Sequence, residues 1–370
     1  MKYFISAGEA SGDIHASRLI RAIKQLDPEA DVRFLGGDLM AREAGRKPAI
    51  HYRDMAYMGF VDVALNITKV LGNLQAARDG IEQWHPDRVI LVDYPSFNLR
   101  LAETAADLGI PVDYYIPPKV WAWKEGRVRK MKELIRNIYC IFPFEVGFYK
   151  KYGMDVSYVG NPSVGEIDSR LAKLPPAEVF RAENGLGDKP LIALLPGSRV
   201  SEIKKNLPTM LKGVSYYPKF TPVIAASPGV DKELYESIAP DILRVEGKTF
   251  DLVAHSVAAV VTSGTATLEA ALIGTPQVAT YQAVKSRIVY AFFKNILNVK
   301  YVTLPNIIMD RRVIPELLLH LCTPTAVARE LVKILPGGSE RAGMLDNYKL
   351  LREKLGTADA AMNAARMIVR

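Results

Sequence analysis

The chain has 370 residues, of which 49% are hydrophobic and 24% are charged, and this composition excludes an intrinsically disordered tail. At about 150 residues per domain, the length predicts two domains. The formal net charge of +8 favours anionic partners. Charge alone does not decide whether the partner is nucleic acid, anionic lipid or a phosphorylated metabolite.

The two cysteines, Cys140 and Cys322, lie far apart in the sequence and form no CxxC pair, so neither a disulfide framework nor a structural zinc site is predicted. The histidines show no metal-ligand spacing, and we expect no metal and no cofactor. No stretch offers the 18 or so consecutive apolar residues of a spanning helix, and the N-terminus resembles a first strand more than a signal peptide. We expect a cytoplasmic protein whose membrane contact is peripheral.

Along the first half, short β-branched or aromatic runs alternate with helix-patterned segments, and this alternation predicts a parallel sheet. The first strand is predicted at residues 3–7, followed by a helix that Pro28 helps to close. Further strands are predicted at residues 32–35, 88–92, 112–116, 138–142 and 156–159. We expect these elements to form a Rossmann-like domain over residues 1–165.

A second alternating series begins at Leu191, after a stretch rich in Pro, Ala and charged residues. Its strands are predicted at residues 191–195, 221–225, 242–245, 258–262 and 277–280. We expect a second Rossmann-like domain over residues 185–340. We expect a C-terminal helical segment over residues 341–370 that either packs back on the N-terminal domain or exchanges with a partner subunit. The sequence therefore does not decide between a monomer and a homodimer.

The motif TSGTATLEAALIG predicts an anion site, because an apolar strand ends there and a helix begins. Ser263, Gly264 and Thr265 are placed to direct backbone N–H groups outward. Glu269 lies one turn further, where a carboxylate can accept from both ribose hydroxyls of a bound nucleotide. An ordinary capped helix with a solvated Glu fits the same pattern.

The motif LLPGSR brings the guanidinium group of Arg199 to the carboxyl edge of the second sheet. Phosphate is the expected partner of this forked cation, and a surface Arg in a tight turn is the alternative.

Two motifs of the first half lie at the corresponding edge of the first sheet. GEASGD, residues 8–13, is neither GxGxxG nor a P-loop, and the acid Glu9 within it favours hydroxyl recognition over a pyrophosphate. In VDYPSFN, Asp93 follows the strand at residues 88–92, where a carboxylate can act as a base. An Asp that caps the following turn is the alternative.

Two segments of the first half are candidates for contact with a membrane or an acylated ligand. The apolar face between residues 58 and 77 includes Val61, Val63, Ile67, Val70 and Leu71, although core packing explains the same spacing. The segment VWAWKEGR is predicted to form a basic, aromatic rim, although a solvated basic helix face is equally compatible. The candidates in it are Trp121, Trp123, Lys124 and Arg127.

Taken in order, GEASGD, MGFVDV, VDYPSFN, VWAWK, LPGSR, SGTATLE and YVTLPN resemble the lipid-A-disaccharide synthase family, over residues 8–306. The resemblance implies an α/β protein of GT-B architecture, with two Rossmann-like domains facing each other across a cleft. It implies a metal-independent inverting glycosyltransferase that joins UDP-2,3-diacylglucosamine to 2,3-diacylglucosamine 1-phosphate. These acylated substrates imply a site at the cytoplasmic face of a Gram-negative inner membrane.

The resemblance assigns roles to individual residues. Asp93 is expected to deprotonate the acceptor 6′-hydroxyl, and Arg199, with the N–H groups of residues 263–265, to stabilise the leaving diphosphate. Glu269 is expected to hold the uridine ribose, Glu9 to contact a sugar or the acceptor, and Asn306 to line the donor side.

The sequence departs from the family pattern at three positions. Asn161 replaces a His, Lys119 replaces a Ser before VWAW, and Gln282 stands where a basic residue is common. A sugar-nucleotide epimerase and a non-catalytic nucleotide or lipid-binding membrane protein are the rival predictions. Nucleic acid is disfavoured, because the basic residues form no recognised reading motif.

Overall fold

The computed structural model describes residues 1–55, 67–121, 126–262, 264–282, 300–357 and 359–370. The chain divides into two compact units: unit 1 consists of Met1–Pro162 and Gly356–Arg370, and unit 2 of Ser163–Leu355. Among the described residues, no helix is long and apolar enough to cross a membrane. The predicted positions Val61, Val63, Trp123, Lys124 and Ser263 lie outside the described residues.

Unit 1 is built on a parallel sheet with the strand order β3-β2-β1-β4-β5-β6-β7. Its strands are β1 (Lys2–Ala7), β2 (Asp31–Gly36), β3 (Ile50–His51), β4 (Arg88–Val92), β5 (Val112–Tyr115), β6 (Asn137–Cys140) and β7 (Ser157–Tyr158). Its helices are α1 (Ala10–Leu26), α2 (Asp38–Ala44), α3 (Ile67–Trp84), α4 (Pro95–Asp107), α5 (Gly126–Leu134) and α6 (Pro143–Lys150). The sheet has a hydrophobic core on each face, because successive side chains of a strand alternate between the faces.

Unit 2 repeats this architecture with the strand order β10-β9-β8-β11-β12-β13, again parallel. Its strands are β8 (Leu191–Leu195), β9 (Thr221–Ala226), β10 (Arg244–Glu246), β11 (Ser256–Thr262), β12 (Gln277–Tyr281) and β13 (Glu316–Leu318). The described α-helices between Pro162 and Leu355 are α7 (Pro162–Leu171), α8 (Ala177–Asn184), α9 (Val200–Val214), α10 (Lys232–Ile238), α11 (Thr249–Ala254), α12 (Thr265–Ile273), α13 (Leu304–Met309), α14 (Pro324–Ile334) and α15 (Arg341–Leu355). The predicted α/β fold with two Rossmann-like halves is confirmed.

The segments outside the two predicted domains belong to the two units. Residues 166–184, where no element was predicted, contain the second half of α7 and all of α8, and Phe180 of α8 is fully buried in the core of unit 2. The predicted C-terminal segment forms two helices, of which α15 belongs to unit 2. The second, α16 (Ala360–Ile368), packs on α1 in unit 1 and buries a stripe of alanines against it.

Candidate active site

The candidate site of unit 1 is centred on Asp93, which follows β4 and precedes α4. Asp93 and Tyr94 both have a φ angle of 47°, in the left-handed region that such residues rarely adopt. The Asp93 N–H group donates to the Ile116 carbonyl at 3.2 Å, while the Tyr114 hydroxyl and the Asn98 amide donate to the Asp93 carbonyl at 2.6 and 2.7 Å. These three hydrogen bonds stabilise the strained turn and hold the half-buried Asp93 carboxylate at the edge of the sheet.

The environment of Asp93 suits proton transfer. Burial raises the pKa of Asp93 above its ordinary value, while the nearby charge of Lys119 and the Tyr94 N–H group hold it down. A carboxyl group whose pKa is moved towards neutrality is better matched to accept a proton from a hydroxyl at physiological pH. Lys119, one of the departures from the family pattern, is therefore an electrostatic neighbour of the candidate base.

The GEASGD loop lies beside this turn, because Ala7 pairs with Val92 where β1 and β4 end. A Cβ atom on Gly8 would lie 2.2 Å from the Tyr94 ring, so only glycine allows this packing. Glu9 is half-buried as the N-cap residue of α1. The structure therefore brings Glu9 and Asp93 to the ends of adjacent strands.

The other acid of that loop, Asp13, has a structural role. Its buried carboxylate accepts from the N–H groups of Gly37 at 2.8 Å, Leu39 at 3.1 Å and Met40 at 3.1 Å. An acid in this position caps the N-terminus of α2. The GEASGD motif therefore has three parts. Gly8 packs closely against Tyr94, Glu9 is a candidate for contact with a substrate, and Asp13 caps α2.

Trp121 does not belong to an exposed rim, contrary to our prediction. Its side chain is 6% exposed, packs edge-on against Phe144 with ring centroids 4.9 Å apart, and donates from Nε1 to Glu145 Oε1 at 3.1 Å. A buried indole needs such an acceptor, and the sequence does not show that α6 supplies one. Arg127 is half-exposed and donates to the Ser96 hydroxyl at 3.2 Å, which brings its guanidinium to the VDYPSFN loop.

The predicted apolar face is divided between core and surface. Val70 is half-buried and Leu71 is 48% exposed, whereas Leu74 and Ala77 of the same helix are buried in the core. Ile67 is the first residue of α3, and its side chain lies outside the described part of the chain. Core packing therefore explains part of the spacing, and Leu71 supplies exposed apolar surface.

In unit 2, the LPGSR loop joins β8 to α9. Gly197 has a φ angle of 119°, which only glycine adopts readily. The Arg199 side chain is 67% exposed, and its Nη1 lies 3.6 Å from Glu202 Oε1. Glu202 was not predicted as a site residue, although its spacing of three from Arg199 could have indicated the pairing.

The second loop of unit 2 joins β11 to α12, and Gly264 and Thr265 are exposed where this helix begins. The hydroxyl of Thr267 donates to the Gly264 carbonyl at 2.7 Å. Glu269 is exposed on this helix. Partial desolvation and the carboxylate of Glu166 raise the pKa of Glu269, and Arg170 of α7 opposes them.

Asn306, predicted to line the donor side, lies in α13 of unit 2. It is fully buried, its amide nitrogen donates to the Ile314 carbonyl and to Glu316, and its oxygen accepts from the N–H groups of Val313 and Ile314. All of its hydrogen-bonding capacity therefore supports the chain that enters β13.

Gln282 also has internal partners. Its side-chain nitrogen donates to Thr209 at 3.0 Å and to the Cys322 carbonyl at 2.7 Å, and its N–H group donates to Asn206 Oδ1 at 3.0 Å. The residue at this departure from the family pattern therefore connects the end of β12 to α9 instead of presenting a charge. Lys285 and Arg287, the next basic residues along the chain, lie outside the described residues.

Solved structures share this two-unit fold. The structure of UDP-GlcNAc 2-epimerase from Neisseria meningitidis bound to UDP-GlcNAc matches with a TM-score of 0.61 at 14% identity, covering 100% of this chain and 98% of that one. The glycotransferase of kitacinnamycin matches with a TM-score of 0.63 at 13% identity, covering 99% and 98%. The fold therefore places the chain in the GT-B class, which glycosyltransferases and sugar-nucleotide epimerases share.

The sequence identifies the family within that class. A family model described as lipid-A-disaccharide synthetase matches residues 3–368. The lipid-A-disaccharide synthase of Myxococcus xanthus is 37% identical over 377 residues, covering 100% of this chain and 97% of that protein. The chain belongs to the lipid-A-disaccharide synthetase family and is a glycosyltransferase, which confirms the resemblance drawn from the motifs.

Proposed function

We propose that the chain transfers 2,3-diacylglucosamine from UDP-2,3-diacylglucosamine to the 6′-hydroxyl of 2,3-diacylglucosamine 1-phosphate. The products are the β-1,6-linked tetraacyl disaccharide 1-phosphate and UDP. The family match along residues 3–368, which spans both units, carries this proposal. The likeness to epimerases, at 14% identity, concerns the fold alone.

In the proposed mechanism, unit 1 provides the base and the acceptor contacts. The Asp93 carboxylate takes the proton of the 6′-hydroxyl while that oxygen attacks the anomeric carbon of the donor from the face opposite UDP. The bond from this carbon to the diphosphate oxygen breaks in the same displacement, and the configuration inverts. Glu9, at the end of the neighbouring strand, positions the acceptor. Arg127 lies beside Ser96, in the VDYPSFN segment that carries Asp93.

Unit 2 provides the donor contacts in this proposal. Arg199 and the N–H groups at the start of α12, including those of Gly264 and Thr265, supply positive potential for the leaving diphosphate. Glu269 accepts from the ribose hydroxyls. Asn306 and Trp121 have no direct role, because their polar atoms have internal partners.

We further propose peripheral contact of unit 1 with the inner face of the Gram-negative inner membrane. Leu71 is an exposed apolar residue on α3. On α5, Arg129 and Lys132 are exposed and line a cavity of about 550 Å³ together with Tyr152. Cations around an open cavity favour anionic headgroups.

The reaction is tested with purified protein and both acylated substrates, in the presence of EDTA, by following UDP release and disaccharide with mass spectrometry. Asp93→Asn is expected to lower kcat by about a hundredfold or more, since it removes general base catalysis. Its UDP affinity should stay unchanged. UDP release without disaccharide would contradict the transferase reaction, and full activity of Asp93→Asn would remove Asp93 from the mechanism.

A further inference from the structure

The LPGSR loop is in contact with a carboxylate of its own chain. Glu202 Oε2 accepts from the Ser198 N–H group at 3.1 Å, and Glu202 Oε1 lies 3.6 Å from the Arg199 guanidinium. A Cβ atom on Gly197 would lie 2.5 Å from Glu202 Oε2, so the carboxylate rests directly against the glycine. The space over this turn is therefore occupied by an anion.

The groups that hold this anion are those that a phosphate would use. A backbone N–H group in the turn that leads into a helix and a forked guanidinium are both typical phosphate donors. A phosphate oxygen and the Glu202 carboxylate cannot share them closely, because like charges at this distance repel each other. Binding a diphosphate here requires the carboxylate to leave.

The backbone beneath Glu202 is fixed. Asn206 donates to the Glu202 carbonyl at 3.0 Å and accepts from the Gln282 N–H group at 3.0 Å. Asn206 is 1% exposed, so these bonds are protected from water. The Glu202 side chain, 26% exposed, can rotate without moving the helix. A ligand can therefore displace the Glu202 carboxylate by rotation of this side chain alone, while the backbone of α9 stays in place.

We propose that Glu202 is an internal competitor for the diphosphate site, holding Ser198 and Arg199 in place until the donor diphosphate displaces it. This inference rests on the proposed function, which assigns Arg199 to the donor. Its consequence is selectivity, because a ligand must bring enough negative charge to replace the carboxylate. The diphosphate group of the donor meets this requirement, and an uncharged nucleoside does not.

The test compares the binding of UDP and of uridine by calorimetry. Glu202→Gln preserves the size of the side chain and removes its charge, so it weakens the competitor. We expect the dissociation constant for UDP to fall about fivefold, the order expected for loss of an exposed ion pair, and that for uridine to stay unchanged. Glu233→Gln, in the first turn of α10, is the matched control and should change neither. Thermal unfolding of each variant establishes that it is folded.

The outcomes separate the two proposals. If the wild-type protein does not bind UDP, the assigned donor function fails and the competitor role fails with it. If it binds UDP, but Glu202→Gln binds UDP equally or more weakly, only the competitor role is overturned and Glu202 is an ordinary helix cap. Equal strengthening for UDP and uridine also overturns it, because the effect would not depend on phosphate.

Discussion

The buried carboxyl group of Glu145 predicts a pH dependence of stability. Its side chain is 1% exposed and accepts from the Trp121 indole at 3.1 Å. Burial raises the pKa of Glu145 to about 7, although hydrogen bonds from the Phe142 N–H group and the Trp121 indole and the charge of Lys119 hold it down. The folded protein therefore binds this proton more tightly than the unfolded chain does.

The size and sign of the effect follow from linkage. The difference between the ordinary value of 4.5 and about 7, at about 1.4 kcal/mol per pKa unit, corresponds to about 3 kcal/mol. Because the folded-state pKa is the higher one, this contribution is fully present below 4.5 and is lost as the pH rises through 7. Between pH 5 and pH 8 the loss is about 2.5 kcal/mol.

The perturbation that isolates this contribution is Glu145→Gln, which cannot ionise. Urea unfolding of wild type and variant is measured from about pH 5 to about pH 8. The free energy of unfolding of the wild type, relative to the variant, should fall by about 2.5 kcal/mol over that range. For Glu178→Gln, an exposed residue in the first turn of α8, the difference should be independent of pH. The same flat result for Glu145→Gln would refute the reasoning.

Three further predictions concern the site and the surface. Lys119→Ser removes the cation that lowers the pKa of Asp93, so the acidic limb of the pH profile of kcat/KM should move to higher pH. Asn306→Ala leaves buried backbone N–H groups without an acceptor and should reduce the free energy of unfolding by about 3 kcal/mol, measured by urea titration. Arg129→Gln combined with Lys132→Gln should weaken binding to phosphatidylglycerol vesicles by about tenfold or more in a sedimentation assay, with little effect on phosphatidylcholine.

Each of these has a matched control. Lys349→Ser, in unit 2, should leave the pH profile unchanged, and an identical shift for both lysine variants would mean that net charge is responsible. Asn347→Ala, at an exposed hydrogen bond, should cost no more than about 0.5 kcal/mol. If Asn306→Ala is as mild, its network is not structural. Lys212→Gln combined with Lys349→Gln should retain vesicle binding, and an equal loss would argue against a specific surface on α5.

The predicted strands agree with the observed ones to within a few residues, because a buried parallel strand is a continuous apolar run that the local sequence displays. β3 and β13 were not predicted. β3 contains two residues and β13 three, and each lies at one edge of its sheet, where it pairs with a single neighbouring strand. The positions of Asp93 and Arg199 at sheet edges were also predictable, since each directly follows such a run or its turn.

The sequence by itself determined the α/β class, the two halves, the family and the loops that carry Asp93, Arg199 and Glu269. These features depend on residues close together in the chain or on motifs in a fixed order. The tertiary structure alone decided which polar side chains have internal partners. Trp121 has its acceptor on α6, and Gln282 has partners on α9, 73 residues away in sequence for Thr209. A hydrogen bond depends on distance in space, so a motif lists the side chains of a site while the fold decides which remain available to a ligand.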